Sequence, residues 1–129
     1  MPERLLLDTD VLIDYLRGVT EAVEYLEERT EALLLSAITV AELYVGVREG
    51  RERTALSTLV SAFDIVPITR EIAERGGLLR RDYGRSHNTG LTDALIAATA
   101  ELASAQLVTL NRKHFPMFAS VVVPYRKSR

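Results

Sequence analysis

Asp8 and Asp10 stand two residues apart in "LLLDTDVLID", between two apolar runs. A carboxylate in that setting needs a partner, because burying its charge costs several kcal/mol, roughly, unless it is paired or binds a metal. Glu42 lies in the apolar "ITVAELYV", and Asp93 is the only charge in "LTDALIAATA". No His or Cys accompanies these acids. An all-oxygen set of Asp8, Glu42 and Asp93 would select Mg2+ or Mn2+ over zinc. Clustered carboxylates repel, so they keep their charges only with a cation among them. Such a centre activates a water and stabilises the attacking and leaving oxygens of a phosphodiester. The natural substrate is then a nucleic-acid backbone.

The elements that must position these residues follow from the hydrophobic pattern. Short strands are expected at Arg4–Leu7, Leu33–Ser36, Ile65–Pro67, Gln106–Leu110 and Val121–Val123. Helices are expected over Val11–Leu16 (with Gly18 as its stop), Glu21–Arg29, Val40–Glu49, Arg53–Phe63, Thr69 to about Tyr83, and Leu91–Ala105. Gly84–Gly90 reads as a loop and "NRKHF" as a turn. Gly76–Gly77 falls inside a helical segment, where it would kink the helix or allow close packing. Short strands alternating with helices imply an α/β protein with a parallel sheet of four to five strands covered on both faces. Ligands in such folds bind beyond the carboxyl ends of the strands. Asp8, Thr9, Asp10, Ser36, Thr39, Glu42, Thr109 and Asn111 all fall there, and Asp93 opens the helix feeding the fourth strand.

Each residue also has a purely structural reading. Asp10 is placed to cap a helix starting at Val11, whereas Asp8 is too early for that role. "TVAE", Thr39 to Glu42, has the spacing of a capping box, although its apolar neighbours suggest more burial than a capping Glu requires. Asp93 suits the first turn of a helix, Asn111 suits a turn, and Ser36 and Thr109 suit strand ends. His87 lies in a polar stretch, and neither His87 nor His114 has the spacing of a zinc helix. No nucleotide-binding glycine loop and no serine-nucleophile elbow occur.

Composition narrows the classes further. The chain has 129 residues, 47% hydrophobic and 26% charged, which suits one soluble domain over residues 1–129. The absence of Cys excludes disulfide frameworks, thiolate zinc sites and Cys nucleophiles. It fits a reducing, cytoplasmic setting. No apolar run reaches the ~20 residues of a membrane span, and "MPERLLLDTD" is too short before its acids for a signal peptide. The net charge of −2 argues against nucleic-acid binding through bulk charge. The cations are nonetheless almost all Arg, the better bidentate phosphate donor, with Lys only at Lys113 and Lys127.

Taken in order, "LLLDTDVLIDYLRG", "LSAITVAELYVGV", "LTDALIAATA" and "LVTLNRKHF" resemble a PIN-domain protein of the VapC type, over nearly the whole chain. The resemblance implies an α/β/α sandwich and a Mg2+- or Mn2+-dependent endoribonuclease, the toxin of a type II toxin–antitoxin pair. It implies an RNA substrate, cleavage to a 5′-phosphate and a 3′-hydroxyl, a VapB-like antitoxin, DNA contact only through that antitoxin, and a homodimer. The family's three acids fall on Asp8, Glu42 and Asp93. Its Ser/Thr falls on Thr9 or Thr109, and its fourth acidic position on Asn111. Two departures stand out: Asp10 where the family commonly has Asn, and Asn111 where it often has Asp. The charge on Asp10 is expected to compensate for the one missing at Asn111. Arg80, Arg81, Arg85 and Arg112 are candidates for RNA phosphate contacts. Two rivals remain. In a haloacid-dehalogenase-like phosphatase Asp8 would be the nucleophile and Asp10 the acid/base, although the downstream Lys and paired acids of that family are missing. An inert PIN binding module would not need the three acids that are present.

Overall fold

A computed structural model describes residues 3–126. Its centre is a parallel sheet of four short strands: β1 (Arg4–Leu7), β2 (Ala32–Ser36), β3 (Asp64–Val66) and β4 (Gln106–Val108). Their order is β3-β2-β1-β4. Leu5 stands between Leu33 of β2 and Gln106 of β4, which places β1 in the interior. The expected fifth strand contracts to one parallel bridge, Val108 with Val122, beside β4.

Side chains alternate across a strand, so a strand buried on both faces reads as an unbroken apolar run. The run Leu5–Leu7 does this literally. Leu5 and Leu7 join Leu35 and Val108 under α1 (Thr9–Leu16), α2 (Thr20–Glu27), α3 (Ala37–Val45) and α4 (Arg51–Ser61), contributing Val11, Leu12, Leu26, Leu43 and Leu56. Leu6 joins Leu34 and Leu107 on the opposite face, under α5 (Arg70–His87) and α6 (Leu91–Leu102). Ala94, Ala97, Ala98 and Ala100 let α6 lie close to the sheet. The result is the expected α/β/α sandwich.

Several boundaries differ from the sequence pattern, each for a local reason. Helix α1 starts at Thr9, and Asp8 is its N-cap, accepting from the Thr9 N–H. Asp10 is therefore inside the first turn and does not cap. Helix α3 starts at Ala37 and is capped by the Ser36 hydroxyl, which accepts from the Ile38 N–H. Thr39 and Glu42 are thus interior residues of α3 and form no capping box. Helix α5 continues to His87, with the Asn88 backbone left-handed at φ 55°, so most of the expected Gly84–Gly90 loop is helical. Thr69 caps α5 as expected, through the Ile72 N–H. Strand β4 ends at Val108, and two residues beyond it the Leu110 N–H donates to Asp10 rather than to a strand. Among the described residues no helix is long and apolar enough to cross a membrane.

Candidate active site

The chain leaves β1 toward β2 on one side and later returns to place β4 on the other. That reversal opens a crevice at the carboxyl ends of β1 and β4. Asp8 occupies it. Its backbone N–H extends the ladder to the Val108 carbonyl at 2.8 Å, so the side chain is fixed by the sheet. One carboxylate oxygen accepts from the Thr9 N–H at 2.8 Å and the other from the Thr109 hydroxyl at 2.7 Å. Only 6% of Asp8 is exposed. Burial, then the charge of Asp10 and finally that of Asp93, push its carboxyl up from 3.8 to about 7, against the downward pull of the two hydrogen bonds.

The other predicted residues connect to this carboxylate. Thr109, fully buried, also accepts from the Asn111 N–H at 3.0 Å, so one hydroxyl ties the turn after β4 to Asp8. Asp10 accepts from the Leu110 N–H and from the Asn111 side-chain amide, each at 3.1 Å. The Thr9 hydroxyl lies 2.6 Å from Glu42 Oε1, joining the first turn of α1 to α3. Glu42 is exposed, contrary to the burial its apolar neighbours suggested, and its carboxylate is held by the Thr9 hydroxyl. Asp93 is half-buried at the mouth of α6. Burial raises its carboxyl, and His114 opposes the rise.

His114 is the residue that spacing rules for zinc sites overlooked. Its Nδ1 lies 3.3 Å from Asp93 Oδ2. Residues 112–114 form a short 3₁₀ turn directly after Asn111. The His114 carbonyl accepts from the buried Thr89 hydroxyl at 3.1 Å, anchoring the turn to the segment before α6.

Of the arginines singled out, Arg81 is paired with Asp82 at 2.9 Å. Arg80 lies back over Gly84. Arg85 and Arg112 are exposed and, among the described residues, have no ion pair, as does Lys113. Beside Glu42 runs a groove of about 650 Å³ between α1, α3 and α4, with Ile13, Leu43 and Leu56 on its walls and Arg17 and Arg51 among its polar lining.

Whether these residues suit a divalent cation turns on donor chemistry and charge. Among the described residues no three His, Asp or Glu side chains stand close enough to enclose a metal unaided. Magnesium does not require such a cage, since it usually keeps several waters and takes only one or two carboxylates directly. The donors are carboxylate and amide oxygens, the type that Mg2+ and Mn2+ favour. The buried Asp8 carboxyl, destabilised as an anion by two neighbouring acids, is where a cation would relieve most. On these grounds the residues fit the ion.

Comparison with known proteins agrees with this fold. Residues 5–120 match the family model described as PIN domain. The chain is 44% identical to "Ribonuclease VapC10" of Mycobacterium tuberculosis (strain CDC 1551 / Oshkosh), over 94% of this chain and 92% of that protein. It is 42% identical to "Ribonuclease VapC19" of the same strain, over 93% and 98%. Its structure is similar to a chain of a "Toxin-antitoxin complex from Klebsiella pneumoniae", with a TM-score of 0.83 and 36% identity over 95% of this chain and 99% of that one. The phosphatase alternative has no support in this match. The chain belongs to the PIN domain family, in its VapC branch.

Proposed function

We propose that this protein is the toxin of a toxin–antitoxin pair, an endoribonuclease that hydrolyses RNA phosphodiester bonds at a Mg2+ or Mn2+ centre. The observation that carries the metal part is the Asp8 carboxyl, raised to about 7 at the end of the central strand by burial and by two neighbouring acids. The ribonuclease and toxin parts draw support from relatives named for those activities.

Asp8, Glu42 and Asp93 would hold the ion, with Asn111 offering its side-chain carbonyl oxygen, since its amide N–H already goes to Asp10. When bound, the cation supplies a more acidic water and the positive charge that stabilises oxygens of the phosphodiester in the transition state. The protein's own groups do the rest. Thr9 and Thr109 hold both Asp8 oxygens in place, so little reorganisation is needed when the substrate arrives. His114 steadies Asp93 from outside the crevice. Arg85, Arg112 and Lys113, exposed and without an ion pair among the described residues, would take RNA phosphates. Arg80 and Arg81, folded onto their own helix, would contribute less.

The groove ending at Glu42 suits an amphipathic segment of the antitoxin, which would meet apolar walls and reach the acidic centre. A homodimer, acting on RNA in the cytoplasm, completes the reading. To test it, wild type and Asp8→Ala are expressed without an antitoxin. Wild type should arrest growth with loss of intact RNA, and the variant should not. Equal arrest by both would refute the reading.

A further inference from the structure

Thr39 is a fully buried hydroxyl one turn from an exposed acid on the same helix. Thr39 and Glu42 are three residues apart in α3, so both face α1. There the Thr9 oxygen lies 2.6 Å from Glu42 Oε1 and 3.2 Å from the Thr39 oxygen. A hydroxyl has one hydrogen, and a carboxylate only accepts. The Thr9 hydrogen therefore goes to Glu42, and the Thr39 hydroxyl donates to Thr9. The order is fixed: Thr39 to Thr9 to Glu42. Both threonines are β-branched and stiff about χ1, and Thr9 is held a second time by its N–H on Asp8.

The alternative capping role for Thr39 is excluded, since Ser36 caps α3. What remains is its action on Thr9. With its lone pair engaged by Thr39, the Thr9 hydroxyl is turned toward Glu42. Glu42 is otherwise a long, exposed side chain with several rotamers open to it, and this chain of hydroxyls selects one. We propose that Thr39, acting through Thr9, is a positioning residue that presets the Glu42 carboxylate for the divalent cation. The proposal rests on the metal-centre reading above. It adds a buried residue that does not itself touch the ion or the RNA.

The test compares wild type with Thr39→Val, Thr39→Ser, Thr9→Val and the Thr9→Val/Thr39→Val double variant. Mn2+ affinity is followed by electron paramagnetic resonance, and the Glu42 side-chain rotamer is followed by NMR couplings in metal-free protein. Thr39→Val keeps the shape and loses the donor. It should bind Mn2+ about 10-fold more weakly, as typically follows loss of a group supporting a ligand, and should show averaged Glu42 couplings. Thr39→Ser should match wild type in both. Thr39→Val should add nothing in the Thr9→Val background. Wild-type affinity and couplings in Thr39→Val would overturn the proposal. So would a Thr39→Ser variant as impaired as Thr39→Val, or additive effects of the two valines. Thermal melting checks that each variant is folded, and Thr39→Ala replaces Thr39→Val if the latter is not. If wild type binds no Mn2+, the metal reading itself fails, and the Glu42 couplings alone decide the role of Thr39.

Discussion

Asp8 makes the stability of this protein depend on pH. Its carboxyl is at about 7 in the fold against 3.8 for an unperturbed aspartate. Between those values the folded chain keeps a proton that the unfolded chain has released, so the contribution to stability is full below 3.8 and is lost as pH rises through 7. This is the reverse of an aspartate held by a cationic partner. The loss is at most about 4 kcal/mol at one pKa unit per 1.36 kcal/mol. Metal-free protein should therefore melt at higher temperature at pH 5 than at pH 8. Asp8→Asn should flatten that difference, and Mn2+ should restore wild-type stability at pH 8. A flat wild-type profile would contradict this. The neighbouring pair gives a second expectation. Asp10 accepts from the Asn111 amide, so the two positions together carry one negative charge. Asp10→Asn should lower Mn2+ affinity, and Asp10→Asn/Asn111→Asp should recover it. Unchanged affinity and stoichiometry in the single variant would sink the compensation idea. The acids were legible in sequence because charge inside apolar runs is conspicuous. The capping roles were misassigned, because Asp8 can both end a strand and cap the helix immediately after it.

Helix α5 shows how much of an element its sequence reveals. The pair Gly76–Gly77 signalled either a kink or close packing, and the structure separates the two glycines. A Cβ on Gly76 would lie 2.6 Å from Leu95 Cδ2 and 3.3 Å from Leu95 Cα, whereas one on Gly77 would meet nothing within 4 Å. Gly76→Ala should therefore destabilise the protein by about 1–3 kcal/mol, because the Leu95 side chain must move and α6 must shift slightly. Gly77→Ala should stabilise it by about 0.5–1 kcal/mol through helix propensity. Equal melting temperatures for the two variants would show that α5 and α6 do not meet at Gly76. The contact matters for the site because α6 carries Asp93. Strand runs and the alanine-rich α6 were plain in the sequence, since both are buried on most sides. Helix ends were not, because Ser36 and Asp8 cap from positions that also read as strand. The His114 contact depended on a 3₁₀ turn that no periodicity marks.

For the molecule as a whole, a net charge of −2 leaves RNA binding to a local patch. Among the described residues six arginines are ion-paired, as in Arg53 with Glu49 and Arg75 with Glu101. Arg85, Arg112 and Lys113 are exposed and, among the described residues, have no ion pair, and Arg112 and Lys113 lie in the turn that carries His114. Replacing Arg112 and Lys113 by Ala should raise KM for RNA several-fold and reduce its salt dependence by roughly the two phosphate contacts removed. Unaltered salt dependence would place the RNA elsewhere. Asp8 and its acidic neighbours are proposed to hold a divalent cation used to cut RNA. The most direct measurement is cleavage of RNA by the purified protein with Mg2+, after EDTA, and after Mg2+ is restored, alongside Asp8→Ala. Wild type alone should give fragments with 5′-phosphate and 3′-hydroxyl ends, abolished by EDTA and recovered with Mg2+. Cleavage that survives EDTA, equal in wild type and Asp8→Ala, would contradict it.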